Sequence, residues 1–267
     1  MTMTRSRMLE GTWYDHPEYY DIAFQAYTQP EADFIEAACR KYCGFRVRRL
    51  LEPACGTGRL ITALAARGYE LSGFDVSQPA LRYLRRRLAR CRLNAETFEA
   101  EMSNFWIGQA ADAAYCVVNT FRHLLTEQAA HGHLECVARS LRVGGIYVLG
   151  LHLSPLGGDK ENSECWTERR CETEVTVSLR LVHTDRRRRI EDVQVCLMAR
   201  RRSKELRLQD AFQLRTYSQR QFRRLLDSVP SLELCDVYDF RYDIQQPSAL
   251  NDSAAYTVFV LKRRLPL

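Results

Sequence analysis

One stretch, "LLEPACGTGRLITALAARGYELSGFD" (Leu50–Asp75), carries residue types that could grip a nucleotide-like ligand. Glu52 lies at the end of an apolar run, Gly56 and Gly58 follow it, and Asp75 closes the next apolar run. Glycine at both places lets the backbone turn sharply and leaves room for a ligand to approach it. A helix opening after Gly58 presents unpaired N–H groups to that ligand. A carboxylate at the end of the second strand can accept both hydroxyls of a ribose. The G-x-G-x-x-G dinucleotide fingerprint is not met, because Ile61 stands where the third glycine belongs. Glycine loop, strand end and acid together point to an adenosine-type ligand. A tight turn with a helix-capping aspartate is the plainer alternative.

Other residue groups carry weaker chemistry. His131, His133 and Cys136 spell H-x-H-x-x-C, a spacing that suggests zinc. On a helix the two histidines point to nearly opposite faces, so no metal site is expected. The arginine runs "RYLRRRLARCR", "DRRRRIED" and "ARRRSK" carry most of the net charge of +6 and could touch nucleic acid. They are interleaved with acids and separated in sequence, which reads as solvated helix faces and hairpin tips. Arg169 and Arg170 in "WTERR" could reach an acidic substrate from the insert, but read more simply as a solvated strand end.

The elements that must position these residues alternate. "FRVRRLLEPA" reads as a strand and "RLITALAARG" as a helix with Leu60, Ile61 and Leu64 on one face and Gly68 at its exit. "YELSGFDV" is a second strand. "SQPALRYLRRRLARC" is a helix capped by Ser77, with Pro79 in its first turn and Leu81, Leu84 and Leu88 inward. "AETFEAE" and the fully apolar "AAYCVVN" make a third and a fourth strand. "TEQAAHGHLECVARSLRVGG" is a helix leaving through Gly144 and Gly145, and "IYVLGLHL" is a fifth strand. After Pro155 the period changes to two. "CETEVTVSLRLVH", "EDVQVCLMAR" and "ELRLQDAFQLRTY" form an antiparallel meander with one wet face. Helix "SQRQFRRLLDSV" and strands "LELCDVYDF" and "AAYTVFVLK" close the chain. The expected fold is α/β: a doubly wound, mostly parallel, Rossmann-like sheet of seven strands, with the meander inserted after the fifth. Residues 1–45 form an N-terminal aromatic and helical segment, 46–163 with 218–267 the core, and 164–217 the β insert.

Gross numbers agree with a globular chain of 267 residues, 46% hydrophobic and 27% charged. No apolar run reaches the roughly 18 residues of a membrane span, and the N-terminus has no secretory apolar core, so a cytoplasmic location is expected. The ten cysteines are scattered without C-x-x-C and read as reduced core residues.

The motif set resembles class I S-adenosylmethionine-dependent methyltransferases. "LLEPACGTGRLITALAARGYELSGFDVS" is similar to their first two motifs, "AEMSNF" (100–105) to the segment after the third strand, and "CVVNTFRHLLTE" (116–127) to the fourth strand and its loop. The N-T-x-x-H-L form is common among small-molecule N-methyltransferases. The resemblance implies S-adenosylmethionine as cofactor. Glu52, Ala54, Gly56 and Gly58 fall at the methionine moiety, with Arg59 opening the helix. Asp75 falls at the ribose, Val76 at the adenine face, Glu101 and Met102 along the adenine, and Asn119 on the methyl-donor side. The adenine acid is usually Asp, so Glu101 is a departure. Tyr14, Tyr20 and Tyr27 correspond to an aromatic lid, and "YYDIAF" resembles the Tyr-Asp lead-in of the subgroup.

Methyl transfer from a sulfonium is an in-line displacement, in which alignment of nucleophile, methyl and sulfur does most of the work. His123 is the candidate for acceptor positioning or for a general base, with Tyr20 and Asn119 orienting the acceptor through hydrogen bonds. The implied function is methylation of a small molecule, at nitrogen, with the insert shaping the acceptor pocket or a homodimer contact. No membrane or nucleic-acid partner is expected. Two alternatives remain: an RNA- or DNA-modifying methyltransferase using the arginine-rich insert, and a cofactor-binding protein without turnover. Against the first, no [D/N]-P-P-[Y/F/W] follows the fourth strand, where "VNTF" stands.

Overall fold

A computed structural model describes residues 5–154 and 163–265; the parts of the expected segments at 1–4, 155–162 and 266–267 lie outside the described residues. The chain begins with a short strand β1 (Arg5–Met8), helix α1 (Pro17–Ala23) and helix α2 (Thr28–Tyr42). Strands and helices then alternate: β2 (Arg49–Pro53), α3 (Arg59–Ala66), β3 (Glu70–Asp75), α4 (Gln78–Cys91), β4 (Glu96–Glu99), β5 (Ala111–Cys116), α5 (Glu127–Ser140) and β6 (Leu141–His152). Four long strands follow, β7 (Ser163–Arg170), β8 (Thr173–Asp185), β9 (Ile190–Arg201) and β10 (Lys204–Arg215). Helix α6 (Gln219–Asp227) and strands β11 (Leu232–Tyr238) and β12 (Tyr256–Arg263) end the fold.

Seven strands make one sheet in the order β11-β12-β6-β5-β2-β3-β4, in which β12 alone runs against its neighbours. Strand β5 is buried along its whole length, as an apolar run covered on both faces requires. In α4 the Ser77 hydroxyl accepts the Ala80 N–H at 3.3 Å, and Leu81, Leu84 and Leu88 are buried. Each such leucine contributes about 1.5–3 kcal/mol by leaving water. Gly144 and Gly145 sit inside β6, where pairing starts at Leu141, and do not form a helix-to-strand turn. A Cβ on Gly145 would lie 2.5 Å from the Asp112 carbonyl oxygen, so this glycine permits close strand approach.

The second sheet has the order β1-β10-β9-β8-β7. It holds two strands more than the alternation in the sequence predicts. β7 reads "SECWTERR", an edge strand too polar to show a buried face, and β1 joins β10 in parallel from the N-terminus. One face stays polar. The other presents Val175, Val177, Val195 and Leu197, which pack under Trp13, Ile22 and Phe24 of the N-terminal segment. All ten cysteines are free thiols, and among the described residues no helix is long and apolar enough to cross a membrane.

Candidate active site

The chain leaves β2 through a sharp turn. Ala54, Gly56 and Gly58 all take left-handed backbone angles, φ 51, 52 and 67. Asp75, at the end of β3, fixes this turn: its Oδ2 accepts the Gly56 N–H at 2.8 Å and its Oδ1 the Ser77 N–H at 2.8 Å. Burial pushes the Asp75 carboxyl above its ordinary pKa, against the pull of those amides. Each oxygen keeps a second lone pair for a ligand hydroxyl. Gly58 is needed for packing: a Cβ there would sit 2.1 Å from Leu84 Cδ1 of α4.

Behind the turn a small hollow of about 50 Å³ is lined by Glu52 and Arg59, with Ala54, Gly56 and Thr57. Arg59 pairs with Glu31 of α2 at 2.5 Å, and Glu31 also accepts the Tyr242 hydroxyl at 3.2 Å. Glu52 accepts a hydrogen bond from Tyr115 at 3.2 Å, and burial pushes its carboxyl up to about 8. A buried carboxyl this perturbed beside a cavity is a binding-site mark, because a ligand ammonium would restore its ordinary ionisation.

In front of the turn opens a cavity of about 1020 Å³. Tyr14, Tyr20, Tyr27, Ala54, Gly56, Asp75, Val76, Glu101, Met102, Asn119 and His123 all line it, so the structure brings together most residues singled out by the sequence. Glu52 and Arg59 lie in the adjoining hollow, and Gly58 lines neither space. The far wall is aromatic. Trp13 stacks on Phe212 of β10 (5.9 Å, 7°), and Tyr20 packs edge-on against Trp13 at 5.0 Å. The Tyr14 hydroxyl stands 3.1 Å from His123 Nε2. Burial, reinforced by Arg122, pushes the His123 imidazole down to about 4, while burial pushes the phenol of Tyr14 upward and that of Tyr20 up to about 12. At neutral pH the wall is therefore uncharged and hydrogen-bonding.

The loop after β5 is strained where it meets the cavity. Val118 and Asn119 both take left-handed angles, φ 58 and 64, which a β-branched residue rarely adopts. Asn119 Oδ1 accepts the His152 N–H at 2.6 Å and so locks the turn to β6. Arg122, buried in the next turn, pairs with Glu191 of β9 and donates to the Arg215 carbonyl at 2.8 Å, tying the loop to the second sheet.

Several lining residues carry no local signal in the sequence. Phe240 and Tyr242 stack with ring centres 5.8 Å apart in the segment after β11, and Trp166 comes from the polar edge strand β7. The expectation for Arg170 is overturned: it is no solvated strand end, because its guanidinium pairs with buried Asp21 at 2.5 Å. Of the zinc-like trio, His133 is buried, donating Nδ1–H to the Met102 carbonyl at 3.0 Å and meeting the Tyr147 hydroxyl at 2.7 Å. His131 turns instead to the Ser228 carbonyl at 3.2 Å.

With this geometry in view, residues 50–145 match the family model described as a methyltransferase domain. The matched region is a methyltransferase domain. A Geobacillus sp. (strain WCH70) protein, itself only inferred to be a methyltransferase, is 22% identical over 119 residues, 45% of this chain and 48% of that one. The chain thus spans about half the length of the curated relatives it matches. Solved structures are similar in fold across nearly the whole chain. An S-adenosylmethionine-dependent methyltransferase from Clostridium acetobutylicum ATCC 824 aligns with a TM-score of 0.74 at 16% identity, covering 94% of this chain and 99% of that one. The sugar N-methyltransferase KedS8 from Streptoalloteichus sp. ATCC 53650 aligns at 0.73 and 18% identity, covering 99% and 98%. At these identities the likeness is one of fold.

Proposed function

We propose that this methyltransferase domain moves a methyl group from S-adenosylmethionine to a small-molecule amine. The observation that carries the reading is the cavity between the glycine turn and the aromatic wall. Its described lining includes Asp15, Asp75 and Glu101, besides Glu31, which Arg59 already neutralises, and neither lysine nor arginine. Such a lining favours a cationic or neutral guest over an acidic one. The name of KedS8, a sugar N-methyltransferase of the same fold, supports nitrogen as the acceptor atom.

S-adenosylmethionine, when bound, supplies a methyl group on a positively charged sulfur. The residues that would hold it are Glu52 at the ammonium, the Ala54–Gly58 turn along the amino-acid end, Asp75 at the ribose, and Val76, Glu101 and Met102 beside the adenine. Tyr14, Tyr20 and Trp13 exclude water, and orientation alone can account for several kcal/mol of barrier. His123, held neutral with its Nε2 at the Tyr14 hydroxyl, is too weak a base to deprotonate an ordinary ammonium; we assign it to positioning. The N-terminal segment and the β insert then form the acceptor chamber. The reading is tested with methyl-labelled S-adenosylmethionine and a panel of amino sugars beside their hydroxyl counterparts. Label should pass to amines and not to the alcohols. Transfer to the alcohols alone would overturn the nitrogen assignment, and absence of S-adenosylhomocysteine binding by calorimetry would overturn the whole reading.

A further inference from the structure

Asp21 of α1 is 1% exposed and lines neither the large cavity nor the hollow behind it. Four side chains from three parts of the molecule converge on its carboxylate. Thr57 of the glycine turn donates its hydroxyl to Oδ1 at 3.3 Å, and Tyr83 of α4 donates to Oδ2 at 3.1 Å. Arg87 of α4 pairs with Oδ1, and Arg170 of β7 pairs with Oδ2 at 2.5 Å while also reaching the Asp21 carbonyl at 3.1 Å. Burial pushes this carboxyl up, but the two guanidinium groups outweigh it and hold it below the ordinary range. A buried carboxylate bound by two arginines is costly to break, because removing one partner leaves charge uncompensated.

We infer that Asp21 is a positioning residue for the glycine turn, and that Arg170, a residue of the β insert that does not itself line the cofactor cavity, sets the turn's affinity through it. This rests on the glycine turn being the cradle of the cofactor's amino-acid end. The chain of contacts runs Arg170–Asp21–Thr57. Thr57 stands between Gly56 and Gly58, is itself buried, and lines both the cavity and the hollow. Loss of Arg170 leaves Asp21 with Arg87 as its one cationic partner, so that with Tyr83 the carboxylate is drawn toward α4 and away from the insert. The insert would then influence the cofactor as well as the acceptor.

The test is calorimetric binding to the full chain of two probes, S-adenosylhomocysteine and 5′-methylthioadenosine, which lacks the amino-acid end. Arg170→Ala should weaken S-adenosylhomocysteine about five- to tenfold and leave 5′-methylthioadenosine within twofold. Arg169→Ala, one residue away and exposed, should change neither, and Arg170→Lys should restore part of the loss. Equal S-adenosylhomocysteine affinity for wild type and Arg170→Ala overturns the inference. So does an equal loss for both probes, which would mark general loosening of the fold. Failure of the wild type to bind S-adenosylhomocysteine would instead overturn the cofactor-site reading beneath it.

Discussion

The cavity has two walls of different construction. One is backbone: the Ala54–Gly58 turn and the amides that bind Asp75 are held by left-handed residues at the end of β2. The other is side chain: Trp13, Tyr14, Tyr20, His123 and Phe212 come from three separate parts of the chain and meet through ring contacts. A backbone wall tolerates little change in conformation, while a ring wall can be rebuilt by exchanging side chains. The first suits a ligand common to many enzymes, and the second suits an acceptor particular to one.

The largest expected effect is at the backbone wall. Gly58→Ala forces a left-handed angle on a residue with a Cβ, about 1–2 kcal/mol. It also drives that Cβ against Leu84, and overpacking adds about 1–3 kcal/mol. Denaturant unfolding should show a loss of about 2–5 kcal/mol, with S-adenosylhomocysteine binding weakened at least tenfold. A variant as stable and as tightly binding as wild type would remove the idea that this wall depends on backbone geometry.

The same contrast explains what could be read from the sequence. Gly56, Gly58 and Asp75 are legible because a turn, a helix start and a strand end are local events, and few residue types satisfy them. The alternation in β8 and β9 is legible for the same reason: Val175 and Val177, or Val195 and Leu197, line one buried face. Strands β7 and β1 were hidden because edge strands need no apolar face. Asp21 and Arg170 are 149 residues apart, and nothing near either reports the other. Phe240 and Tyr242 reach the cavity only because β11 and β12 bring their connection back over it. Val118 shows the limit most plainly, since its left-handed angle runs against the residue's own preference and is imposed by the surrounding fold.

Glu52, at the floor between the walls, gives the next effect. Its folded carboxyl is pushed up to about 8 from an ordinary 4.5, so the folded state binds the proton more tightly. The stability this proton brings is complete below about pH 4.5 and is lost as pH rises toward 8. Glu52→Gln should therefore stabilise the ligand-free protein at pH 8 by about 4 kcal/mol, with the gain shrinking toward zero below about pH 4.5. It should also weaken S-adenosylhomocysteine, whose ammonium loses its carboxylate. A pH-independent change in stability would show that burial of charge is not what perturbs this residue.

The smallest effect belongs to the ring wall. His123 is pushed down to about 4 from 6.5, first by burial and then by Arg122. The unfolded chain therefore takes up a proton between pH 6.5 and 4 that the folded chain refuses, and stability falls as pH falls through that window. Replacing the ring removes the difference, so His123→Gln should shallow the acid limb of the stability curve by about 3 kcal/mol by pH 4. His133, also pushed down to about 4 by burial, stays in place and keeps the remaining slope. Near pH 8 the variant should bind S-adenosylhomocysteine as wild type does, because the glycine turn and Asp75 are untouched. An unchanged acid limb would mean that His123 is hydrated, and the uncharged ring wall would lose its central member. A large loss of cofactor affinity at pH 8 would show instead that the two walls are one unit.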